Sequence, residues 1–374
     1  MFFLYTLIIF AYVLIRGIIP LDSGLAYKIL LTILILAGTQ LHYVSKKMTG
    51  LMVGEYPKPI LYVWEYLFAL SVVSFLIMLF SDVIKIITII TGLKSLNTIL
   101  ISSDFLIASW IFAAVMSLFG LYQGTRIPNI VNKTIYIDNW PKNMNGFKIC
   151  QLTDLHISSL LSKQWLEKVI KKTNEQSPDL IVITGDFTDG YPDKHKNSIS
   201  PLAKLKAKHG VFGVTGNHDY YYDFKGWLSE YRNNGIVFLF NQNVKIQEKE
   251  SFFYLAGVPD PAAAIIKEEM PDIKKAIYNI TGKAPIILLD HRPANAFKNA
   301  ENGVDLQLSG HTHGGMIPLL ASIVKKMNNG FYSGYYRVGN MQLYLSNGTG
   351  IWNGFPIRIG YHSEITKLTI FRKD

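Results

Sequence analysis

Among 374 residues the chain holds a single cysteine, Cys150, so no disulfide can form within it. Cys150 lies in an apolar run and reads as a small buried hydrophobe. Charge is scarce as well: 17% of residues are charged against 49% apolar, a greasy balance for a water-soluble protein. No block of like charges occurs, although the net charge is +10 from 37 basic and 27 acidic residues. The excess is spread thinly, with 10 basic and 6 acidic residues before Asn145. A nucleic-acid-binding stripe is thereby excluded as an expectation, and no nucleic acid polymer is expected as a partner. A diffuse positive bias suits a membrane surface or a phosphorylated substrate. The amino terminus lacks the basic residues of a cleaved signal, so its first apolar run reads as an uncleaved span.

The apolar excess is concentrated before Asn145. Phe2 to Ile19, Leu25 to Val44, Ile60 to Phe80 and Ile99 to Leu121 each come near the roughly 20 residues that cross a bilayer core. Trp64 and Tyr66 suit an interfacial belt. Val83 to Leu93 is too short to span and reads as an interfacial segment. The expected organisation is a transmembrane region of about four helices over 1–125, a linker over 126–144, and a globular domain over 145–374. Within the linker, Ile127 to Trp140 reads as a connection or an early edge strand. The lipid bilayer is the expected partner of the first region. An even number of spans puts Lys46, Lys47 and Lys58 on one side with Arg126, Lys133 and Lys142. Arg16, Lys28, Lys85 and Lys94 fall opposite, which favours a cytoplasmic catalytic region.

After Asn145 short apolar runs alternate with amphipathic stretches, as in an α/β layer protein. Strands are expected at Phe147 to Thr153, Asp179 to Thr184, Val211 to Thr215, Phe252 to Val258, Ile286 to Asp290, Val304 to Ser309, Gln342 to Ser346 and Ile365 to Phe371. Helices are expected at Lys163 to Asn174, Pro201 to Lys208, Phe224 to Arg232, Ala262 to Tyr278 and Pro293 to Ala300. No internal repeat stands out in this part.

Five polar clusters each follow an apolar run: Asp154-Leu155-His156, Gly185-Asp186, Gly216-Asn217-His218-Asp219, His291, and Gly310-His311-Thr312-His313-Gly314. In open α/β sheets the carboxyl ends of strands are where ligand sites form. Alternate residues of extended chain point the same way, so Asp154 can face one point with His156, and His311 with His313. Leaving His218 and Asp219 aside, the clusters supply two carboxylates, one amide oxygen and four imidazoles. That set is too large for one ion. It suits two cations bridged by Asp186, roughly 3.5–4 Å apart as in two-metal phosphatases. Oxygen and nitrogen ligands without thiolate point to manganese, iron, zinc or magnesium. A hydroxide held between two cations would attack phosphorus, His218 would give a proton or hydrogen bond to the leaving oxygen, and Asp219 would fix its tautomer.

These motifs together resemble the signature series of the calcineurin-like metallophosphoesterases, over about Asn145 to the carboxyl end. The resemblance implies a four-layer αββα sandwich around two divalent metal ions. By position it implies that Asp154, His156, Asp186 and His313 hold one ion, and that Asp186, Asn217, His291 and His311 hold the other. His218 would be the catalytic histidine with Asp219 behind it. Gly310 to Gly315 and Ser346-Asn347-Gly348-Thr349-Gly350 are similar to a bacterial branch often attached to membranes, which implies the plasma membrane of a bacterium. That branch usually has Gln after the double glycine, where Met316 stands here.

The substrate is less legible. Met316 to Met327 combines Ile317, Leu319, Leu320, Ile323 and Val324 with Lys325-Lys326, an amphipathic pattern suited to a lip touching lipid or to packing on its own domain. Arg292 and Arg358 are candidate phosphate clamps, Arg292 the stronger for its place beside His291. Tyr220, Tyr221 and Tyr222 are candidates to line a pocket. The expectation is a membrane-anchored hydrolase of a phosphodiester or phosphomonoester, acting on a phospholipid or lipid-linked substrate. The alternatives are the same chemistry on a soluble nucleotide or phosphorylated metabolite, and a membrane scaffold or sensor with a structural metal site.

Overall fold

A computed structural model describes residues 2–373, which fall into two units. One unit comprises residues up to Gly124 together with Asn353–Ile359; the other comprises Thr125–Trp352 and the chain from Gly360 onward.

The first unit is helical: α1 (Phe2–Val13) running into a π-helical turn, then α2 (Leu25–Thr49), α3 (Lys58–Thr91), α4 (Lys94–Leu100) and α5 (Ser103–Thr125). Three of these, α2, α3 and α5, are long and apolar enough to cross a membrane; the apolar helix Phe3–Ile18 is shorter. The segment Val83 to Leu93, expected to lie apart in the interface, is instead mostly the last part of the 34-residue α3. Nothing between Phe80 and Thr91 stops a helix, and α3 ends only at Gly92, whose φ of 74° is left-handed. The span expected from Ile99 breaks at Ile101. It restarts at Ser103, where the Ser102 hydroxyl caps the new helix by accepting the Phe105 N–H at 3.2 Å. Helices α2 and α3 meet closely at Gly38, where a Cβ would press on the Leu67 carbonyl. Fully buried His42 and Glu65 lie 3.3 Å apart on the same two helices. Tyr12 and Arg16 both donate to Asp82, at 2.6 and 2.8 Å. Ionisable groups at such depths persist only when paired.

The second unit is built on two six-stranded sheets. The first has the order β1 (Asn129–Ile137), β12 (Glu364–Arg372), β2 (Phe147–Leu152), β3 (Leu180–Thr184), β4 (Val211–Val214) and β5 (Val237–Phe238). Only the β12–β2 pairing in it is antiparallel. The second has the order β10 (Gly334–Val338), β11 (Met341–Leu345), β9 (Leu306–Ser309), β8 (Ile286–Leu289), β7 (Ser251–Gly257) and β6 (Gln242–Glu248). The 126–144 segment thus carries an edge strand, β1, in register with β12 from Asn129 opposite Glu364.

Strand alternation sends residues to two cores. Ile149 and Val182 join Leu255, Ile287, Leu306 and Leu308 between the sheets. Their neighbours Cys150 and Ile181 face the other way, onto Trp165, Leu166 and Val169 of α6 (Lys163–Asn174) and Trp227 of α8 (Phe224–Asn233). The outer face of the second sheet packs on Ile273 and Ala276 of α9 (Ile273–Ala276) and Ala296 of α10 (Ala296–Glu301). The result is the α/β/β/α layering. Two short helices complete the unit, α7 (Pro192–His195) and α11 (Pro318–Met327).

Two expected helices are not helices of that length. Ala262 to Tyr278 resolves into a 3-10 turn, Pro261–Ile266, and the single turn α9, because Lys267 is left-handed at φ 61° and Pro271 follows. Pro201 to Lys208 is a 3-10 turn, Ser200–Lys204. Cys150 is fully buried and its thiol is pushed up to about 12 by burial, in keeping with an inert core residue.

Phe253 sits in the inter-sheet core with ring centres 5.0 Å from Trp140 and 5.3 Å from Phe147. Phe253→Ala should lower stability by about 3–5 kcal/mol. Chemical denaturation of the detergent-solubilised chain measures this; a loss below 1 kcal/mol would show that the two sheets do not share this core.

Candidate metal centre

Each of the five polar clusters begins one to three residues past a strand. Asp154 follows β2, Asp186 follows β3, Asn217 follows β4, His291 follows β8 and His311 follows β9. The site therefore lies at the carboxyl ends of central strands from both sheets, the position favoured in open α/β sheets.

The backbone there is unlike the extended chain that the sequence suggested. Asp154, His156, Asp186, His311 and His313 have φ of 53°, 45°, 54°, 74° and 49°. Pairs such as Asp154 and His156 converge because the chain turns left-handed at each, and strand alternation plays no part. Non-glycine residues in that region are uncommon and cluster at functional sites, held by their surroundings. Here the hold is visible. Asp154 N–H donates to the Gly185 carbonyl at 2.9 Å, and His156 N–H to that of Asp186 at 3.1 Å. Gly216 is required by close approach, since a Cβ on it would run into the Asp186 carboxylate.

Six side chains meet in this space. Asp154, His156 and His313 can direct ligand atoms within 4.8 Å of one another, and so can Asp186, His291 and His311. His313 Nε2 lies 3.3 Å from His156 Nε2 and 3.5 Å from Asp154 Oδ1. Asp186 Oδ2 lies 3.3 Å from His291 Nε2 and 3.7 Å from His156 Nε2, between the two groups. Ligand atoms about 2.1 Å from one ion sit about 3.0–3.4 Å apart, close to these separations. Unmet hydrogen-bonding capacity points the same way. Asn217 donates through Nδ2 to the Tyr221 hydroxyl at 3.1 Å, while its Oδ1 is buried with no hydrogen-bond partner. His291 Nδ1 donates to the Thr184 carbonyl at 2.7 Å, which turns buried Nε2 toward Asp186. Ligating histidines are typically oriented by such a bond from their other nitrogen.

Charge also favours a cation here. Burial draws the His291 imidazole down, but the Asp186 carboxylate beside it more than reverses this, to about 10. Burial opposes protonation of His218 too, and Asp189 with Asp186 raises it to about 9. His311 is held well below its ordinary value by burial and by His291 and Arg292 nearby, which leaves it a neutral donor of a lone pair. The cage pulls positive charge toward its carboxylates.

Two assignments change. Asp219 does not orient His218. Its carboxylate accepts the backbone N–H groups of Asp186 (3.0 Å), Phe187 (3.0 Å) and Gly216 (2.8 Å), and so ties the β3 and β4 loops together. The group on His218 is Asp189, whose Oδ1 lies 2.6 Å from Nδ1 and whose Oδ2 lies 3.2 Å from His156 Nδ1. Sequence reading passed over Asp189; its one signal is a second carboxylate three residues after Asp186, in the same turn. Arg292 is engaged by a two-point ion pair with buried Asp260, at 2.6 and 3.0 Å. Arg358 is fully buried and belongs with the helical unit, where its amide donates to the Gly120 carbonyl. Of the three tyrosines, Tyr220 is buried against Phe224. The half-exposed Tyr221 ring stands 5.0 Å from His218, and Trp352 stands 6.0 Å from it.

Residues 147–315 match the calcineurin-like phosphoesterase family. The chain is 34% identical to a transmembrane protein with metallophosphoesterase domain from Danio rerio, over 70% of this chain and 61% of that one. It is 35% identical to an uncharacterised metallophosphoesterase of Helicobacter pylori, over 68% of this chain and 67% of that one. With the metallophosphoesterase YkuE of Bacillus subtilis it shares 33% identity over 62% of this chain and 81% of that one. With this likeness and this cage of ligands, the chain belongs to the calcineurin-like metallophosphoesterases, metal-dependent hydrolases of phosphoesters.

Proposed function

We propose that this chain is a membrane-anchored phosphoesterase that uses two divalent ions and acts on a phospholipid or a lipid-linked phosphodiester. The observation that carries the reading is one chain holding both the cage around Asp186 and three helices of membrane-spanning length. Spans that keep the site near a bilayer raise the local concentration of a lipid substrate. Asp154, His156, Asp186 and His313 would hold one ion, and Asp186, Asn217, His291 and His311 the other, with manganese, iron, zinc or magnesium as candidates. Such ions, when bound, make water acidic enough to attack at neutral pH and offset charge on the phosphoryl oxygens.

The chain's own groups supply the rest. Asp189 accepts Nδ1–H of His218 and fixes the ring, so that Nε2 is left to give a proton or hydrogen bond to the leaving oxygen. Asp219 holds the backbone that carries Asp186. Arg292, oriented by Asp260, adds fixed positive charge beside His291 for a phosphoryl oxygen. Tyr221 and Trp352 flank His218 and would wall the leaving group. The basic residues at the end of α2 and the start of α3, Lys46, Lys47 and Lys58, fall on the same side as Arg126, Lys133 and Lys142 whether or not the short first helix spans. That favours a cytoplasmic catalytic unit at a bacterial plasma membrane.

His218→Ala should slow hydrolysis of an artificial aryl phosphodiester by about 10²–10⁴-fold while bound metal stays near normal. Asp189→Asn should cost about 10–100-fold in activity. Steady-state rates with metal analysis measure both, and unchanged turnover in His218→Ala would reject the acid role. A panel of detergent-dispersed phospholipids and nucleotides, with manganese and zinc supplied separately, tests the substrate. The expected result is faster turnover of a lipid phosphodiester; a strong preference for nucleotides would remove the lipid reading and leave the chemistry.

A further inference from the structure

The helix that follows the histidine loop keeps an apolar face in water. Leu319, Ile323 and Met327 of α11 are 57%, 58% and 76% exposed. They recur every four residues, so they form one stripe along the helix, with buried Ala321 turned toward the protein. Lys325 and Lys326 close the helix and are exposed. The helix is seated directly on the site. Pro318 comes five residues after His313, and a Cβ on Gly315 would lie 2.6 Å from Ala321 Cα.

The chain that carries this face also carries helices of membrane-spanning length. Only residues 126–128 separate α5 from β1, and each can extend by at most about 3.5 Å. Apolar stripes edged by lysine are what interfacial helices present to acyl chains and anionic headgroups. We propose that α11 lies in the membrane interface, with Leu319, Ile323 and Met327 among acyl chains and Lys325 and Lys326 at anionic lipid headgroups. The helix then seats the His311–His313 loop at the bilayer surface. This rests on the membrane-anchored reading above and deepens it: the substrate is a phospholipid taken from the plane of the bilayer.

The full chain in nanodiscs containing anionic phospholipid provides the test. Cys150 is buried, so Met327→Cys gives a single reactive thiol for an environment-sensitive fluorophore. Quenching of the label by lipids brominated on their acyl chains is expected. A label that emits as in water and is not quenched overturns the proposal, whatever the substrate. In parallel, Ile323→Glu should lower the rate on a vesicle phospholipid relative to that on a water-soluble aryl phosphodiester by about tenfold. A fall in both rates together, or an unchanged ratio, counts against the helix. A wild-type enzyme that hydrolyses only soluble esters would overturn the lipid-substrate reading, and quenching alone would then decide where α11 lies.

Discussion

A buried carboxylate held between two groups of ligands is the constraint on which the site depends. Asp186 is 2% exposed, and ionised groups so deep are costly unless charge and hydrogen bonds surround them. Its Oδ1 accepts the His218 N–H at 2.8 Å, while its Oδ2 faces the imidazoles of His291 and His156. Its own φ is left-handed, Gly216 must lack a side chain to admit it, and Asp219 holds its amide. Backbone strain, a missing Cβ and a second buried acid all serve to keep one oxygen between two clusters of ligands. The arrangement becomes favourable when positive charge occupies the space between them.

Much of this was legible in sequence because central strands are buried on both faces and read as continuous apolar runs. Leu180–Thr184, Val211–Val214, Ile286–Leu289 and Leu306–Ser309 are buried throughout, and the polar residue ending each run marks the site. The strands left unassigned, β5, β6 and β10, and the ambiguous β1, all lie at sheet edges. Edge strands carry charged and exposed residues, as in Gln242–Glu248, and so lose the apolar signal. Which acid reaches His218 was not legible, because the answer lies in left-handed turns. Asp219 is next to His218 in sequence yet points back into the loops, whereas Asp189 returns from the β3 turn to meet the ring.

The helical unit follows a different solvent logic. Its exposed faces are largely apolar, and four of its ionisable groups are matched in pairs, His42 with Glu65 and Arg16 with Asp82. One short stretch of the carboxyl-terminal region, Asn353–Ile359, is shared with it, with Phe355 lying 5.9 Å from Phe68.

Anomalous diffraction from crystals of the manganese-loaded protein, with metal content per chain determined on the same sample, tests the central claim most directly. The account predicts two ions roughly 3.5–4 Å apart, with an oxygen of Asp186 touching both and the remaining six ligands divided between them. One ion per chain, or ions bound away from Asp186, would contradict it.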